Sequence, residues 1–288
     1  MQVGMIGAGL MGHGIALNIL KGGFSVVVME HSGNQPINDL IDLGAKRQSS
    51  PARVAAETDL IIVCVTGSPE VEEVIAGKSG ITSALKPGAI VIDCSTALPD
   101  STMLMAELVF AAGGEFLDAP MTRLAQQAHD GTLNILVGGK ADVLETARPV
   151  LNTFTENINH VGEVGFGHRM KLLHNYVSIG YMALLSEAAA QAAQAGIQAD
   201  VFIDVLAKGG GAGSALERLK SSILTGDSSS IPFTINNAIK DIDYYREMIQ
   251  NGTASKTIAD GISVAIKSVV KSGDKELYLS ELTKMFRQ

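Results

Sequence analysis

The sequence predicts an α/β domain at residues 1–162 followed by an all-α domain at residues 163–288. In the first part, short β-branched runs alternate with segments of helical period, which is typical of a doubly wound parallel sheet. After residues 157–161 the strand pattern ends and only helical periodicity continues. A chain of 288 residues is long enough for two domains of this kind.

The strands of the first domain are indicated by apolar runs, and its helices by their caps. Residues 60–65, LIIVCV, are apolar throughout, as in a parallel strand that is buried on both faces. Ser50 and Pro51 suit the N-cap and first position of a helix, and Gly22 suits the end of another. The predicted strands are residues 2–6, 25–29, 60–65, 89–93, 115–119, 134–137 and 157–161. The predicted helices are residues 13–21, 51–58, 70–76, 101–112 and 141–151.

The second domain begins with a long helix and is interrupted by glycines at residues 209–213. The small residues at 188–195 would allow close helix–helix approach, and we expect a homodimer or homotetramer. The predicted helices are residues 171–195, 200–208, 215–224, 235–250, 253–271 and 276–286.

Composition excludes several classes of function. The hydrophobic fraction of 46% with 18% charged residues is that of a packed globular protein. The net charge is −8 and no basic stripe is present, so nucleic acid is not an expected partner.

The N-terminus lacks the charged start of a signal peptide, and polar residues such as Asn175 and Glu187 interrupt the long helix. We therefore expect neither a secretion signal nor a membrane span.

The two cysteines, Cys64 and Cys94, have neither CxxC nor zinc-site spacing. Both fall at the ends of apolar runs, which favours buried structural thiols in a reducing, cytoplasmic compartment. The six histidines are scattered, and we predict no metal site.

A glycine-rich turn at residues 7–12, GAGLMG, lies between the first strand and the first helix. In this context Gly7 permits a tight turn, Gly9 lets the backbone approach a pyrophosphate, and Gly12 lets helix and strand pack closely. The helix N-terminus supplies N–H groups to the phosphates. The predicted cofactor contacts are Gly7, Ala8, Gly9, Leu10, Met11 and Gly12. The pattern predicts a Rossmann-type dinucleotide-binding domain, the alternative being a βαβ turn without a ligand.

Glu30 ends the second strand, eighteen residues after Gly12. A carboxylate at this place accepts hydrogen bonds from the ribose hydroxyls of a dinucleotide. It would repel the 2′-phosphate of NADP(H), and the sequence has no arginine beside Glu30 to attract one. We therefore expect NAD in preference to NADP.

Ligands of open α/β sheets bind beyond the carboxyl ends of the strands. The residues there are Val65 and Thr66, Ser95 and Thr96, and Thr122 and Arg123. They offer backbone N–H groups, hydroxyls and one guanidinium. Arg123 is a cation that leaves a buried strand, and the alternative is a surface arginine paired with a nearby acid.

Residues 162–175, GEVGFGHRMKLLHN, begin the second domain. Lys171 and Asn175 are four residues apart and share one face of a helix that starts at about Arg169. They have the chemistry of a proton donor and a substrate clamp. The alternative is a lysine that extends to water and a hydrogen-bonded core asparagine.

Four segments in order resemble the β-hydroxyacid dehydrogenases, the 3-hydroxyisobutyrate dehydrogenase group. They are GAGLMGHGIALNILK at residues 7–21, DCST at 93–96, the segment at 162–175 and FTINNAIKD at 233–241. The resemblance covers essentially the whole chain. It implies hydride transfer between a nicotinamide cofactor and a short anionic hydroxyacid or aldehyde acid.

The resemblance also implies roles for individual residues. Lys171 corresponds to the catalytic lysine and Asn175 to a substrate-binding residue. Ser95 and Thr96 correspond to the substrate and nicotinamide loop, and Lys240 to a residue that reaches the cofactor or substrate. An imine reductase on the same fold and a non-catalytic NAD-binding sensor are the alternatives. Related imine reductases commonly lack the lysine.

The chain departs from the family at one loop. Where the family usually has Ser-Gly-Gly, this sequence has Thr122, Arg123 and Leu124. The loop looks most like the sulfolactaldehyde reductase branch, in which an arginine holds the sulfonate. A guanidinium makes charge-assisted bonds to sulfonate, carboxylate or phosphate, so the residue type alone does not select among them.

Overall fold

The computed structural model describes residues 1–274 and 276–287. The chain divides into two compact units, Met1–Lys171 and the residues from Leu172 onward. The first unit is an α/β sheet structure and the second is helical. This confirms the predicted fold class. Among the described residues, none of the helices combines the length and apolarity that crossing a membrane requires.

The first unit contains nine strands and seven complete helices, and an eighth helix begins at its end. The strands are β1 (Gln2–Ile6), β2 (Ser25–Met29), β3 (Lys46–Gln48), β4 (Leu60–Val63), β5 (Ile90–Asp93), β6 (Glu115–Asp118), β7 (Met121–Thr122), β8 (Leu133–Gly138) and β9 (Thr155–Gly162). The helices are α1 (Leu10–Lys21), α2 (Asn38–Asp42), α3 (Pro51–Glu57), α4 (Ser68–Ala76), α5 (Pro99–Ala111), α6 (Ala125–Asp130) and α7 (Ala141–Leu151).

The strands form one sheet in the order β3-β2-β1-β4-β5-β6-β8-β7, with β9 paired to β8. The pairs from β3 to β6 are parallel, as predicted. However, β8 runs antiparallel to β6 and β7, so this edge departs from the parallel pairing that the strand–helix alternation predicted. Only the short helix α6 joins β7 to β8, whereas a parallel return needs a crossover of about a dozen residues or more.

Local sequence explains both the predicted and the missed elements. Ser50 Oγ accepts a hydrogen bond from the Arg53 N–H at 3.3 Å, and Pro51 opens α3 as expected. The missed elements α2, β3, β7 and α6 are short. Strand β3 has the sequence Lys-Arg-Gln, which carries no apolar run. It is held by pairing with β2 rather than by burial of its own side chains.

The second unit packs helices around a core that includes Leu216, Leu219, Ile235 and Leu282. Its helices are α8 (Phe166–Gln194, which begins in the first unit), α9 (Ala199–Ala207), α10 (Ser214–Thr225), α11 (Ile235–Met248), α12 (Thr257–Val269) and α13 (Leu282–Met285). Helix α8 begins before the predicted residues. The last predicted helix, 276–286, is a 3₁₀ turn at Leu279–Glu281 followed by α13, so one continuous helix was wrong.

Candidate functional site

Two of the three glycines of residues 7–12, Gly7 and Gly12, occupy places where a side chain would not fit. Gly7 has a φ of 91°, and a Cβ atom there would lie 2.2 Å from the Cys64 carbonyl oxygen. A Cβ atom on Gly12 would lie 2.0 Å from the Gly7 carbonyl oxygen. A Cβ atom on Gly9 would meet no atom within 4 Å, so this glycine faces open space. The close turn and the open approach match the requirements of dinucleotide binding.

Helix α1 starts directly after this turn. Gly9 is its N-cap and no side chain caps the helix end, so the first N–H groups have no side-chain acceptor. Leu10 is exposed, and Met11 is partly buried against the core. Such a helix end fits a phosphate group, because N–H groups and the helix dipole favour negative charge there. The turn and α1 therefore fit the pyrophosphate of a dinucleotide.

Ala8 has a different place from the other loop residues. It is fully buried, its N–H donates to Asn34 Oδ1 at 3.1 Å, and its carbonyl accepts from the Gln35 N–H at 2.9 Å. The Asn34 amide also donates to the Met29 carbonyl at 2.8 Å. Ala8 thus anchors the loop that follows β2, and its own N–H is already used.

Glu30 lies at the end of β2, exposed, as the sequence predicted. Its Oε1 accepts a hydrogen bond from Arg47 Nη1 at 3.0 Å. The expectation that no arginine lies beside Glu30 was wrong in space, because β3 brings Arg47 there. The missed signal was a basic residue on the strand that follows β2.

Val65 and Ser95 are brought together at the ends of β4 and β5. The Val65 N–H donates to Ser95 Oγ at 3.0 Å, and Ser95 is buried. Thr66 is exposed and Thr96 partly buried. The Ser95 hydroxyl therefore links two of the loops that the sequence singled out.

A buried polar cluster lies below these loops and was missed by the sequence analysis. It contains Asp93, Asp118 and His168, each fully shielded from solvent. The two aspartates are register partners on β5 and β6. Asp93 Oδ2 is 3.9 Å from His168 Nε2, and Asp118 Oδ2 is 3.7 Å from His168 Nδ1. The imidazole is thus close to both carboxylates, which sit side by side.

The hydrogen bonds of His168 join the cluster to the predicted substrate loop. Nε2 lies 3.2 Å from the Ser95 carbonyl oxygen, which only accepts, so this nitrogen carries a proton. Nδ1 lies 2.8 Å from Thr102 Oγ1 on α5. Burial raises the pKa of the Asp93 carboxyl, and the nearby His168 charge and the Ser95 hydrogen bonds offset part of that rise. The position of the aspartates at strand ends was the available signal.

Lys171 lies in the first turns of α8, and its Nζ donates to the Met121 carbonyl oxygen at 2.6 Å. Met121 precedes Thr122, which is buried and pairs with Asn134 across β7 and β8. The lysine is only partly exposed. It is therefore fixed at the start of β7 and does not simply extend to water.

Arg123 follows Thr122 and has a φ of 78°, a left-handed conformation that favours glycine. Its Nη1 donates to the Thr132 carbonyl oxygen at 2.5 Å and also forms an ion pair with Glu156. The structure thus contains the alternative given above, an arginine paired with a nearby acid. A contact of Arg123 with substrate stays a prediction.

Asn175 and Lys240 are linked within the second unit by Asp241, another residue that the sequence analysis missed. Asn175 Nδ2 donates to Asp241 Oδ2 at 2.6 Å, and Lys240 Nζ lies 3.0 Å from Asp241 Oδ1. His174 Nδ1 lies 3.0 Å from Asn175 Oδ1. Asn175 and Asp241 are both buried. One carboxylate therefore positions two of the predicted site residues.

No group of side chains suited to holding a metal ion occurs in the part of the chain that the structure describes.

A family model described as the NAD binding domain of 6-phosphogluconate dehydrogenase matches residues 2–162. A second, described as NAD-binding of NADP-dependent 3-hydroxyisobutyrate dehydrogenase, matches residues 165–286. The chain belongs to the 3-hydroxyisobutyrate dehydrogenase family. It is an NAD(P)-dependent oxidoreductase that acts on CH–OH groups.

Two named relatives support this membership, and one solved structure shares the fold. The chain is 32% identical over 227 residues to 2-(hydroxymethyl)glutarate dehydrogenase from Eubacterium barkeri, covering 78% of this chain and 75% of that protein. It is 32% identical over 241 residues to 3-sulfolactaldehyde reductase from Escherichia coli strain K12, covering 83% and 80%. A crystal structure of 3-hydroxyisobutyrate dehydrogenase from Salmonella typhimurium has the same fold, with a TM-score of 0.87 at 24% identity over 99% of both chains.

Proposed function

We propose that this member of the 3-hydroxyisobutyrate dehydrogenase family transfers hydride between NAD(H) and a short hydroxyacid or aldehyde acid, with Lys171 as proton donor and acceptor. The observation that carries the proposal is the fixed Lys171 side chain, 2.6 Å from the carbonyl of Met121, the first residue of β7. This places an ammonium group next to Thr122, in the unit that contains the dinucleotide loop. The substrate class includes 3-hydroxyisobutyrate-, hydroxybutyrate- and sulfolactaldehyde-like acids.

The nicotinamide supplies or accepts the hydride. The protein supplies or removes one proton and stabilises the negative charge that develops on the substrate oxygen. In reduction, Lys171 gives a proton to the oxygen that develops negative charge, and in oxidation it takes that proton back. Thr122, Ser95 and Thr96 hydrogen-bond the substrate. Asn175, held by Asp241, binds the substrate as well, and Lys240 contacts the cofactor.

The substrate anion is assigned to Arg123. Its planar guanidinium suits a carboxylate or sulfonate. The ion pair with Glu156 means that the substrate must compete with a carboxylate already in contact. Because that pair is partly exposed, its contribution to stability is small, and exchange with an oxyanion is feasible.

NAD is the proposed cofactor because the Glu30 carboxylate suits ribose hydroxyls and repels a 2′-phosphate. The second family model is that of an NADP-dependent enzyme, and assays with both NADH and NADPH distinguish the two cofactors. We also propose a cytoplasmic homodimer or homotetramer, whose size sedimentation would measure.

The test is a panel of short aldehydes bearing carboxylate, sulfonate or no anionic group, assayed with NADH and with NADPH. We expect turnover of the anionic aldehydes with NADH, and a much larger KM for the uncharged ones. Reduction of cyclic imines without turnover of aldehyde acids would identify an imine reductase instead. Binding of NADH without turnover of any panel member would indicate a sensor.

A further inference from the structure

Arg47 and Glu30 form an ion pair at the ends of two neighbouring parallel strands. Arg47 Nη1 lies 3.0 Å from Glu30 Oε1, and the Glu30 N–H donates to the Gln48 carbonyl at 2.8 Å. The register of β2 and β3, in which Met29 pairs with Gln48, therefore holds the cation beside the anion. Glu30 occupies the strand end where dinucleotide-binding sheets contact the adenosine ribose.

The other polar neighbours at this strand end are engaged in the loop itself. The Asn34 amide bonds the Ala8 N–H and the Met29 carbonyl. His31 Nδ1 accepts from the Gly33 N–H at 3.1 Å. The positively charged side chain that contacts Glu30 is thus the Arg47 guanidinium.

The guanidinium remains accessible to a ligand. The Arg47 side chain is 45% exposed and that of Glu30 is 54% exposed. A guanidinium has five N–H donors, and the contact with Glu30 uses one of them. An exposed ion pair contributes little to folding stability, so this pair is not needed to hold the sheet together.

We propose that Arg47 binds the 2′-phosphate monoester of NADP(H). Glu30 holds the Arg47 side chain in place and repels that phosphate. The inference rests on the proposed dinucleotide site at residues 7–12 and Glu30. With NADH, Glu30 accepts the ribose hydroxyls while Arg47 orients its carboxylate. With NADPH, repulsion from Glu30 is offset by charge-assisted hydrogen bonds from Arg47. The protein consequently binds both dinucleotides and prefers NADH.

The pair is tested by fluorescence titration of NADH and of NADPH without substrate, so that the result does not depend on turnover. The variants are Arg47→Gln, Glu30→Gln and the double substitution. Lys46→Gln is the matched control, since it removes an exposed cation from the same strand. A melting curve for each variant verifies that it is folded.

We expect Arg47→Gln to raise the Kd for NADPH about tenfold, the effect of one charge-assisted contact, and to change the Kd for NADH less than about threefold. Glu30→Gln should lower the Kd for NADPH about tenfold, and the double substitution should abolish that gain. Lys46→Gln should leave both values within about twofold. A gain with NADPH that persists in the double variant would show that relief of repulsion suffices, and would overturn the role of Arg47. If the protein without substitutions bound neither NADH nor NADPH, that result would instead reject the proposed function.

Discussion

The Asp118 carboxylate accepts the backbone N–H of His168 at 2.8 Å and lies 3.7 Å from the imidazole of the same residue. Its other oxygen accepts the Gly165 N–H at 2.8 Å. Asp118 therefore satisfies two N–H groups at the start of α8 and places negative charge at the positive end of that helix. Because Lys171 follows within one turn, the same contacts fix the position of the proposed proton donor.

Asp118→Asn should destabilise the protein by about 2–4 kcal/mol, since an amide has one acceptor oxygen where two buried N–H groups require acceptors. Urea denaturation followed by circular dichroism measures this change. Asp142→Asn is the control, because Asp142 accepts the Val143 N–H at the start of α7 but is exposed. Equal effects of the two substitutions would contradict the importance of burial.

Lys171→Ala should lower kcat by a factor of about 10²–10⁴, the usual contribution of a positioned acid or base. The Kd for NADH should stay unchanged, because the role concerns the substrate proton. Stopped-flow turnover and fluorescence titration measure the two quantities. The control, Lys140→Ala, removes an exposed lysine that pairs with Glu115. Near-normal kcat in the Lys171 variant would reject its role.

Arg123→Gly should raise KM for anionic aldehydes at least about tenfold through loss of one charge-assisted contact. It should leave KM for uncharged aldehydes unchanged. Glu156→Gln is an informative partner, because it removes the competing carboxylate and keeps the guanidinium. We expect it to lower KM for the same anionic aldehydes. Steady-state kinetics measure these KM values. If both variants changed KM equally for anionic and uncharged aldehydes, Arg123 would have a structural role only.

The stability of the first unit should depend on pH through Asp93. Burial raises the pKa of this carboxyl, so the folded state holds the proton more tightly than the unfolded state. Stability consequently falls as pH rises from about 4, the unfolded pKa, through the folded pKa, and Asp93→Asn should remove that fall.

Asp39 provides a control of opposite sign. Burial opposes ionisation, but the hydrogen bond and charge of His13 lower the Asp39 pKa overall. Its contribution is therefore present above the unfolded pKa and lost as pH falls. Urea denaturation at several pH values separates the contributions of Asp93 and Asp39 to the free energy of unfolding, because they change with pH in opposite directions. An unchanged pH profile for Asp93→Asn would contradict the assignment.

Both thiols should resist alkylation in the folded protein. Burial raises the pKa of Cys64 to about 12 and that of Cys94 well above its usual value, so little thiolate exists near neutral pH. We expect no labelling by iodoacetamide at pH 7.5 until denaturant is added. Mass spectrometry of native and unfolded samples measures this, and fast native labelling would show an accessible thiol.

The sequence predicts those parts of the fold that depend on local pattern. The turn at residues 7–12, the capped helix α3 and the apolar run of β4 each have a strong local signal. Strand β3 and the reversed direction of β8 lack one, because pairing with neighbouring strands determines them. Periodicity alone did not reveal these tertiary pairings.

The candidate site shows the same division. Glu30 and Lys171 belong to recognisable segments, but their partners, Arg47 and the Met121 carbonyl, come from distant positions. The cluster of Asp93, Asp118 and His168 depends on the register of β5 and β6 together with the first turn of α8. Long-range contacts of this type carry no spacing rule that a single sequence exposes.

The left-handed backbone of Arg123 has a consequence for how the anion contact proposed for this residue can be gained or lost. A glycine would hold this conformation without strain, and one nucleotide substitution converts a glycine codon into an arginine codon. A guanidinium can therefore enter the loop in one mutational step, without insertion or remodelling of the backbone. The contacts with Thr132 and Glu156 then stabilise the new side chain where it stands. The reverse step is equally short, so the anion preference that we propose for this position is easily gained and easily lost among descendants of one gene.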